Sequence, residues 1–416
     1  MTLQKTLIKS GRVGLSAFSI ALLAMSGTQT ASAGINENIE NALKFGQADA
    51  KYGQVKIDLR YRFEQDDSKA AGVDKGDASM IRMRLGYLTP EFAGLQGYAE
   101  YETNQDFGAN TYNSLRNGKG GYQVIADPQE HELNQLWVSF KGIPDTEVKL
   151  GRQRIKIDND RFIGNVGWRQ MESTYDAVMI TNKSVENLTV KVGYINQRQH
   201  ITSVVQPMQT ELANVAYNFK GYGTLTGYGY WIDNNEGHAA SNQTYGLSFV
   251  GGTAVTDDVK ALYRLEYALQ KDFEQNPNSY EVDYYHVMGG ASVHGISVKI
   301  AMEQLGGTGA GQRFQTPLAT GHAFNGWSDQ FLGTPAAGLR DVYTSIGGKL
   351  AGVKLLGVYH DFSDDTGSID YGKEWDFLAV KKFGKHYSLL AKYAYYDADK
   401  FGTDTQNFWL QAGLSF

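Results

Sequence analysis

The sequence predicts an all-β protein: a single-chain, antiparallel transmembrane β-barrel of 18 strands that follows a cleaved N-terminal leader. Three observations lead there. Eighteen short segments alternate apolar and polar residues. The gaps between them alternate long and short. Beyond the N-terminus no stretch approaches the roughly 20 consecutive apolar residues that a spanning helix needs. A period of two places one kind of side chain on each face of a strand. In an outer-membrane barrel the apolar face meets lipid and the polar face lines the lumen. Periplasmic turns there are short and external loops long.

Taken in chain order, residues 1–33 read as a signal peptide. Lys5, Lys9 and Arg12 form a basic start, 13–25 an apolar run too short to span, and Ala31-Ser32-Ala33 a cleavage site of the A-x-A kind. Residues 34–53 form a short periplasmic segment, and 54–416 the barrel. In the first strand, 54–63, Val55, Ile57, Leu59, Tyr61 and Phe63 share one face; Lys56, Asp58, Arg60 and Arg62 share the other. The second repeats this with Ile81, Met83, Leu85 and Tyr87 against Arg82 and Arg84. Further strands fall at 94–103, 132–141, 146–155, 174–182, 187–197, 211–220, 222–232 and 243–251. The series ends with 259–269, 281–293, 295–305, 340–350, 352–362, 373–382, 387–395 and 405–416.

Short gaps follow every second strand, which puts both termini on the periplasmic side. Long gaps are expected at 64–78, 104–131, 156–173 and 306–339; the second and the last are long enough to cover or plug a pore. The final segment alternates Phe408, Leu410, Ala412, Leu414 and Phe416 with Trp409, Gln411, Gly413 and Ser415. An amphipathic strand closing on Phe416 resembles the signal read by the outer-membrane assembly machinery. A soluble sandwich would not alternate its turn lengths, and a solenoid would show a fixed repeat.

Composition agrees. There is no cysteine, so a hydrogen-bonded sheet and not disulfides must hold the chain. Only 7 prolines interrupt the ladder. Aromatic residues reach 12%, led by tyrosine, as suits girdles at the membrane–water interface or stacking inside the lumen. The net charge of −6 becomes −9 once the three leader cations are removed, which argues against nucleic-acid binding. The average hides segregation. Glu64, Asp66, Asp67, Asp74 and Asp77 crowd the first external gap, whereas Arg60, Arg62, Arg82 and Arg84 occupy polar strand faces with Lys56, Arg264 and Lys299. Glu100, Glu102, Glu266 and Glu303 also lie on polar faces, so the lumen is not purely basic.

One segment is unlike the rest. Gly151-Arg152-Gln153-Arg154-Ile155 leads into Asp158-Asn159-Asp160-Arg161-Phe162-Ile163-Gly164, then Gly167-Trp168-Arg169-Gln170 and Thr174-Tyr175-Asp176-Ala177. This resembles the alginate-export family, in which a G-R-Q run precedes an acidic, arginine-bearing loop and a strand with an aromatic-Asp-Ala step. The resemblance implies an eighteen-stranded monomeric barrel that passes a polyanionic uronate polymer. Chemically, Arg152, Arg154, Arg161 and Arg169 can each hold a carboxylate through paired hydrogen bonds. Trp168 and Tyr175 offer flat faces for sugar rings. Asp158, Asp160 and Asp176 can orient the arginines and keep binding weak enough for release. The competing reading is an inward loop stapled by Arg–Asp pairs with no ligand contact. Parity sets Arg152 on the face of Val148 and Leu150, which point at lipid. A charge at mid-bilayer costs about 2–4 kcal/mol, so the strand must bulge there or have left the membrane.

Other signals fall away. His131-Glu132 lacks a second histidine at zinc spacing, and the eight histidines are scattered, so neither a metal nor another cofactor is expected. The glycine-rich run at 221–229 spans a strand-turn-strand, not a phosphate loop. Asp364-Asp365-Thr366-Gly367-Ser368 offers oxygens for calcium but no complete loop pattern, and reads as an acidic rim. Neither His360-Asp361 nor His294 with Ser297 makes a distinctive catalytic set, so no enzyme is expected. The expectation is therefore a passive outer-membrane channel, surrounded by lipid, for anionic oligo- or polysaccharide. A general or differently specific porin is the alternative, and a barrel enzyme or adhesin the third reading.

Overall fold

The computed structural model describes residues 29–235 and 237–416. Of the expected leader, 1–28 lies outside the described residues. A helix, α1 (Gln29–Leu43), runs across the expected cleavage point.

Eighteen strands follow: β1 (Gln54–Ser68), β2 (Gly76–Leu88), β3 (Leu95–Thr111), β4 (Glu130–Ile143), β5 (Thr146–Gln153), β6 (Thr174–Asn182), β7 (Leu188–Gln199), β8 (Val205–Phe219) and β9 (Gly223–Asn234). The second half comprises β10 (Asn242–Ala254), β11 (Val259–Asp272), β12 (Glu281–Val293), β13 (Ile296–Leu305), β14 (Leu339–Leu350), β15 (Val353–Ser363), β16 (Asp370–Phe383), β17 (Tyr387–Ala398) and β18 (Thr405–Ser415). Each strand pairs antiparallel with its chain neighbours, and β1 closes on β18 from Asp58↔Ser415 to Ser68↔Thr405. Closure leaves no free edge, so every strand's backbone is paired on both sides, as hydrocarbon requires.

Period two sets the faces. Leu85, Leu136, Leu150, Leu265, Ile300 and Ile346 lie on the outer surface, while Arg60, Arg62, Arg82 and Arg84 are buried inside. Of the aromatic residues, Tyr101, Tyr194, Tyr217, Tyr245 and Tyr267 face outward, and Tyr98, Tyr228 and Tyr230 are buried in the lumen. The tight turns carry the chemistry that hairpins demand. His294-Gly295 and Ala351-Gly352 each hold two successive positive φ angles, at +48° and +83°, and +48° and +79°. Type I′ turns need this pair, and they match the right-handed twist of the flanking strands.

The external ends differ from expectation. β1 continues to Ser68 and β3 to Thr111, so the first two external loops shrink to 69–75 (L1) and 112–129 (L2). Glu64 is therefore not on the outer rim but inside the lumen, 2% exposed, with its Oε1 2.9 Å from the Arg169 guanidinium. The alternation simply runs on: Arg60, Arg62 and Glu64 keep facing inward, and the mutual neutralisation of these charges lets the ladder extend past the apolar band. The two largest loops are L3 (154–173) and L7 (306–338). Both fold into the barrel.

Candidate functional site: the constriction

L3 and L7 meet inside the lumen. A short parallel bridge joins Ile163 to Leu318, with Gly164 N–H donating to Leu318 O at 2.8 Å. Thr320 N–H donates to Asp160 O at 3.0 Å, and Val166 N–H to Thr320 Oγ1 at 3.1 Å. Apolar side chains pin the loops to the wall. Phe162 packs on Tyr228 (5.2 Å between ring centres) and on Tyr284 (5.5 Å); Phe331 of L7 packs on Phe362 (4.5 Å) and Phe401 (5.2 Å). Burying one such ring is worth about 1.5–3 kcal/mol, so a handful suffices to hold a polar loop in place.

The arginines expected to line the pore converge here, but nearly all are engaged by the protein itself. Arg60 donates to Gly167 O at 3.0 Å, Gln170 Oε1 at 2.8 Å and Arg169 O. Arg62 donates to Trp168 O and lies over the Trp168 ring at 4.1 Å. These two β1 guanidiniums thus grip the backbone of L3. Arg84 binds Glu102 at 2.5 Å and Glu172 at 3.3 Å, Arg154 binds Glu100 at 2.6 Å and Glu172, and Arg82 binds Asp58. Burial pushes the Glu172 carboxyl up, but Arg84, Arg154 and a hydrogen bond from Asn134 override it and hold it at about 2. Arg169 spans Glu64 and Asp329 (3.1 Å), and Arg161 pairs with Glu303 at 2.8 Å and Asn325 Oδ1 at 3.0 Å.

The remaining expected residues divide. Tyr175 is fully buried and donates its hydroxyl to Gly164 O at 2.7 Å, supporting the turn of L3. Asp158 accepts from Asn214 at 2.8 Å, and Asp160 pairs with Lys156 at 3.0 Å. Arg152 and Asp176 pair at 2.7 Å on the outer face, opposite in parity to the buried Gln153 and Tyr175. β5 has only eight residues, and Arg152 is the last but one of them, at the external end of the strand.

Sequence reasoning passed over the L7 contribution. Trp168 stacks on His322 at 4.6 Å, and both surround Lys392 of β17. The Lys392 Nζ lies 2.6 Å from His322 Nε2 and 3.8, 4.3 and 5.2 Å from the rings of Trp327, Trp168 and Trp409. His322 donates Nδ1–H to Asp329 (2.7 Å) and accepts from Lys392. Burial pushes its imidazole down, Asp329 opposes this, and the ammonium adds to the fall, leaving it at about 4. L7 has no alternating pattern, so only its aromatic and histidine content could have hinted at this.

Beside the loops a chamber of about 440 Å³ remains. Arg264, Lys299, His286 and Tyr343 line it, with the acids Glu303 and Asp341 and with Phe324 and Trp327 of L7. Arg264 pairs with Glu266 at 2.6 Å, and Lys299 has no ion pair among the described residues. On the external rim, Asp364 accepts backbone N–H groups from Ser368 (2.6 Å) and Ile369 (2.8 Å). Its carboxylate thereby folds its own loop.

The sequence profile described as Alginate export matches residues 51–319, from the start of the barrel through L3 into L7. The chain belongs to the Alginate export family. Solved structures of similar fold are Pseudomonas aeruginosa OccK1 (OpdK), with TM-score 0.71 at 12% identity over 87% of this chain and 98% of that one. Acinetobacter baumannii OccAB2 gives 0.71 at 12% over 88% and 98%, and a BenF-like porin from Pseudomonas fluorescens Pf-5 gives 0.68 at 14% over 88% and 99%. At such identity the likeness concerns the fold. No curated protein matches. Family and fold together make this an outer-membrane, porin-like barrel with periplasmic termini, of an export-channel type and not an enzyme type.

Proposed function

We propose that this Alginate export family member is a passive, monomeric channel for carboxylate-bearing solutes, uronate oligomers foremost. The observation that carries the reading is the lining of the 440 Å³ chamber: a guanidinium (Arg264) and an ammonium without an ion pair among the described residues (Lys299) beside the flat rings of Phe324 and Trp327, while the two carboxylates that also line it, Glu303 and Asp341, are taken up by Arg161 and His360. A uronate offers the complement, a carboxylate on a ring with an apolar face. In this reading Arg60, Arg62, Arg82, Arg84, Arg154, Arg161 and Arg169 act mainly by shaping L3. They hold the constriction and add to the field inside it, while Arg152 stands outside the path. Binding in the chamber is weak and exchangeable, as conduction requires.

The chamber volume favours a narrower second reading, in which single-ring carboxylates pass and longer chains must displace L7. One solved relative of the fold is described with vanillate. Planar-bilayer conductance tests both. Block by oligo-uronates but not by neutral oligosaccharides of equal length supports the first reading. Block by monomeric ring acids alone supports the second, and indifference to charge overturns both.

A further inference from the structure

We propose that the periplasmic mouth carries a docking site for multivalent anions, built from Lys299, Lys349, Lys354 and Lys382 on β13 to β16. The proposal rests on the anion-channel reading and adds a side to it.

The four lysines line one cavity of about 610 Å³, which also takes in the periplasmic turn residues Gly295 and Gly352. No acidic side chain lines that cavity. Lys349 and Lys354 are direct cross-strand partners, two residues from the Ala351-Gly352 turn. Like charges placed opposite each other disfavour a sheet, and at the constriction the fold answers its cations with carboxylates, carbonyls or aromatic rings. Here it does not: none of the four lysines has an ion pair or hydrogen bond among the described residues.

Acids are present on three of these strands, but higher. Glu303 of β13 is held by Arg161, Asp341 of β14 by His360, and Glu374 of β16 by the Ser328 amide, while Asp376 of β16 lies 3.5 Å from His360. This wall sector therefore steps from partnered acid at mid-height to lysine without an ion pair among the described residues at the periplasmic mouth. Lysine is a flexible point charge, suited to several carboxylates or phosphates without fixed geometry. The site would hold a solute with two or more anionic groups just before the constriction and raise its local concentration there.

Inorganic tripolyphosphate is the probe, added to either side of single full-length channels of known orientation at low salt. The expected result is block from the periplasmic side at least about tenfold stronger than from the external side, in the range of electrostatic steering. It should weaken steeply as salt rises. A variant with all four lysines changed to glutamine should lose that one-sided block; Lys349→Gln and Lys354→Gln singly should halve it or more and serve if the fourfold variant fails to assemble. Equal block from both sides, or block unchanged in these variants, overturns the site. Oligo-uronate against neutral oligosaccharide in the unaltered channel tests the broader reading separately. Charge preference with intact block in the variants removes the site and keeps the function. One-sided block without any uronate preference does the reverse.

Discussion

The wall of β1 to β3 and the wall of β13 to β16 both present cations to the lumen, but they use them differently. On the first wall every arginine has an acid or a carbonyl within reach: Arg60 and Arg62 hold L3, while Arg82 and Arg84 share Asp58, Glu102 and Glu172. On the second, the periplasmic lysines have none among the described residues. Counting positive residues on polar faces therefore does not locate the field that a solute meets. Arginine, with its fixed fork of donors, is spent on architecture, and lysine remains available.

Breaking the first wall should have the largest effect. Glu172→Ala takes one carboxylate from buried Arg84 and half-buried Arg154, leaving them Glu102 and Glu100, which costs up to roughly 3–5 kcal/mol. The barrel should still form, but L3 should detach. Single-channel recordings should show a larger, noisier conductance, and protease should cut within 154–173. Unchanged conductance would mean that the Arg60 and Arg62 grip, the bridge to L7 and the aromatic contacts hold L3 without Glu172.

Acid should act in the same direction. His322 is held at about 4 against an ordinary 6.5, and Glu172 at about 2 against 4.5. Both are depressed, so the folded loops disfavour protonation of each group. Stability from His322 is complete above about pH 6.5 and lost as pH falls through 4; that from Glu172 is lost from about 4.5 down to 2. Conductance measured from pH 7 to 3 should rise in the first window before the second. A His322→Gln variant should erase the upper step and leave the lower one.

Lys392→Met tests the junction between the two walls. The ammonium inside three indoles contributes about 2 kcal/mol when desolvated. Its loss should loosen Trp168 and Trp327 together, seen as faster gating and a red-shifted tryptophan emission. Smallest is Arg152→Leu. The Arg152 pair with Asp176 is half-buried and lies off the lumen; surface pairs are worth less than about 1 kcal/mol, so conductance should not change. If it falls sharply, Arg152 belongs to the path after all.

The strands were legible because lipid on one side and polar lumen on the other impose a period of two on each of them. That rule weakens above the bilayer, where Glu64 was read as part of an acidic loop although it continues the inward face of β1. The arginine-rich L3 was legible as special, since few surface loops concentrate guanidiniums and acids in this way. Its partners were not. His322, Asn325, Trp327 and Asp329 come from an aperiodic loop more than 150 residues later in the chain, and nothing local in either segment names the other. The lysines of β14 to β16 are hard to see as a group because they are spread over separate strands; only register brings Lys349 against Lys354.

The seam between β1 and β18 has a further consequence for how the molecule comes into being. Arg62 donates to Gln411 across 349 positions of chain at 2.9 Å and to Trp168 O on the constriction loop. One side chain thus touches the last strand delivered and the segment that narrows the bore. Contacts this distant in sequence form late and carry a large loop-closure entropy. Until β18 arrives, β1 is an unprotected edge and the L3 anchor lacks a neighbour. Sealing the cylinder and setting its aperture are in that sense one event, so a half-built channel has neither a closed wall nor a finished filter.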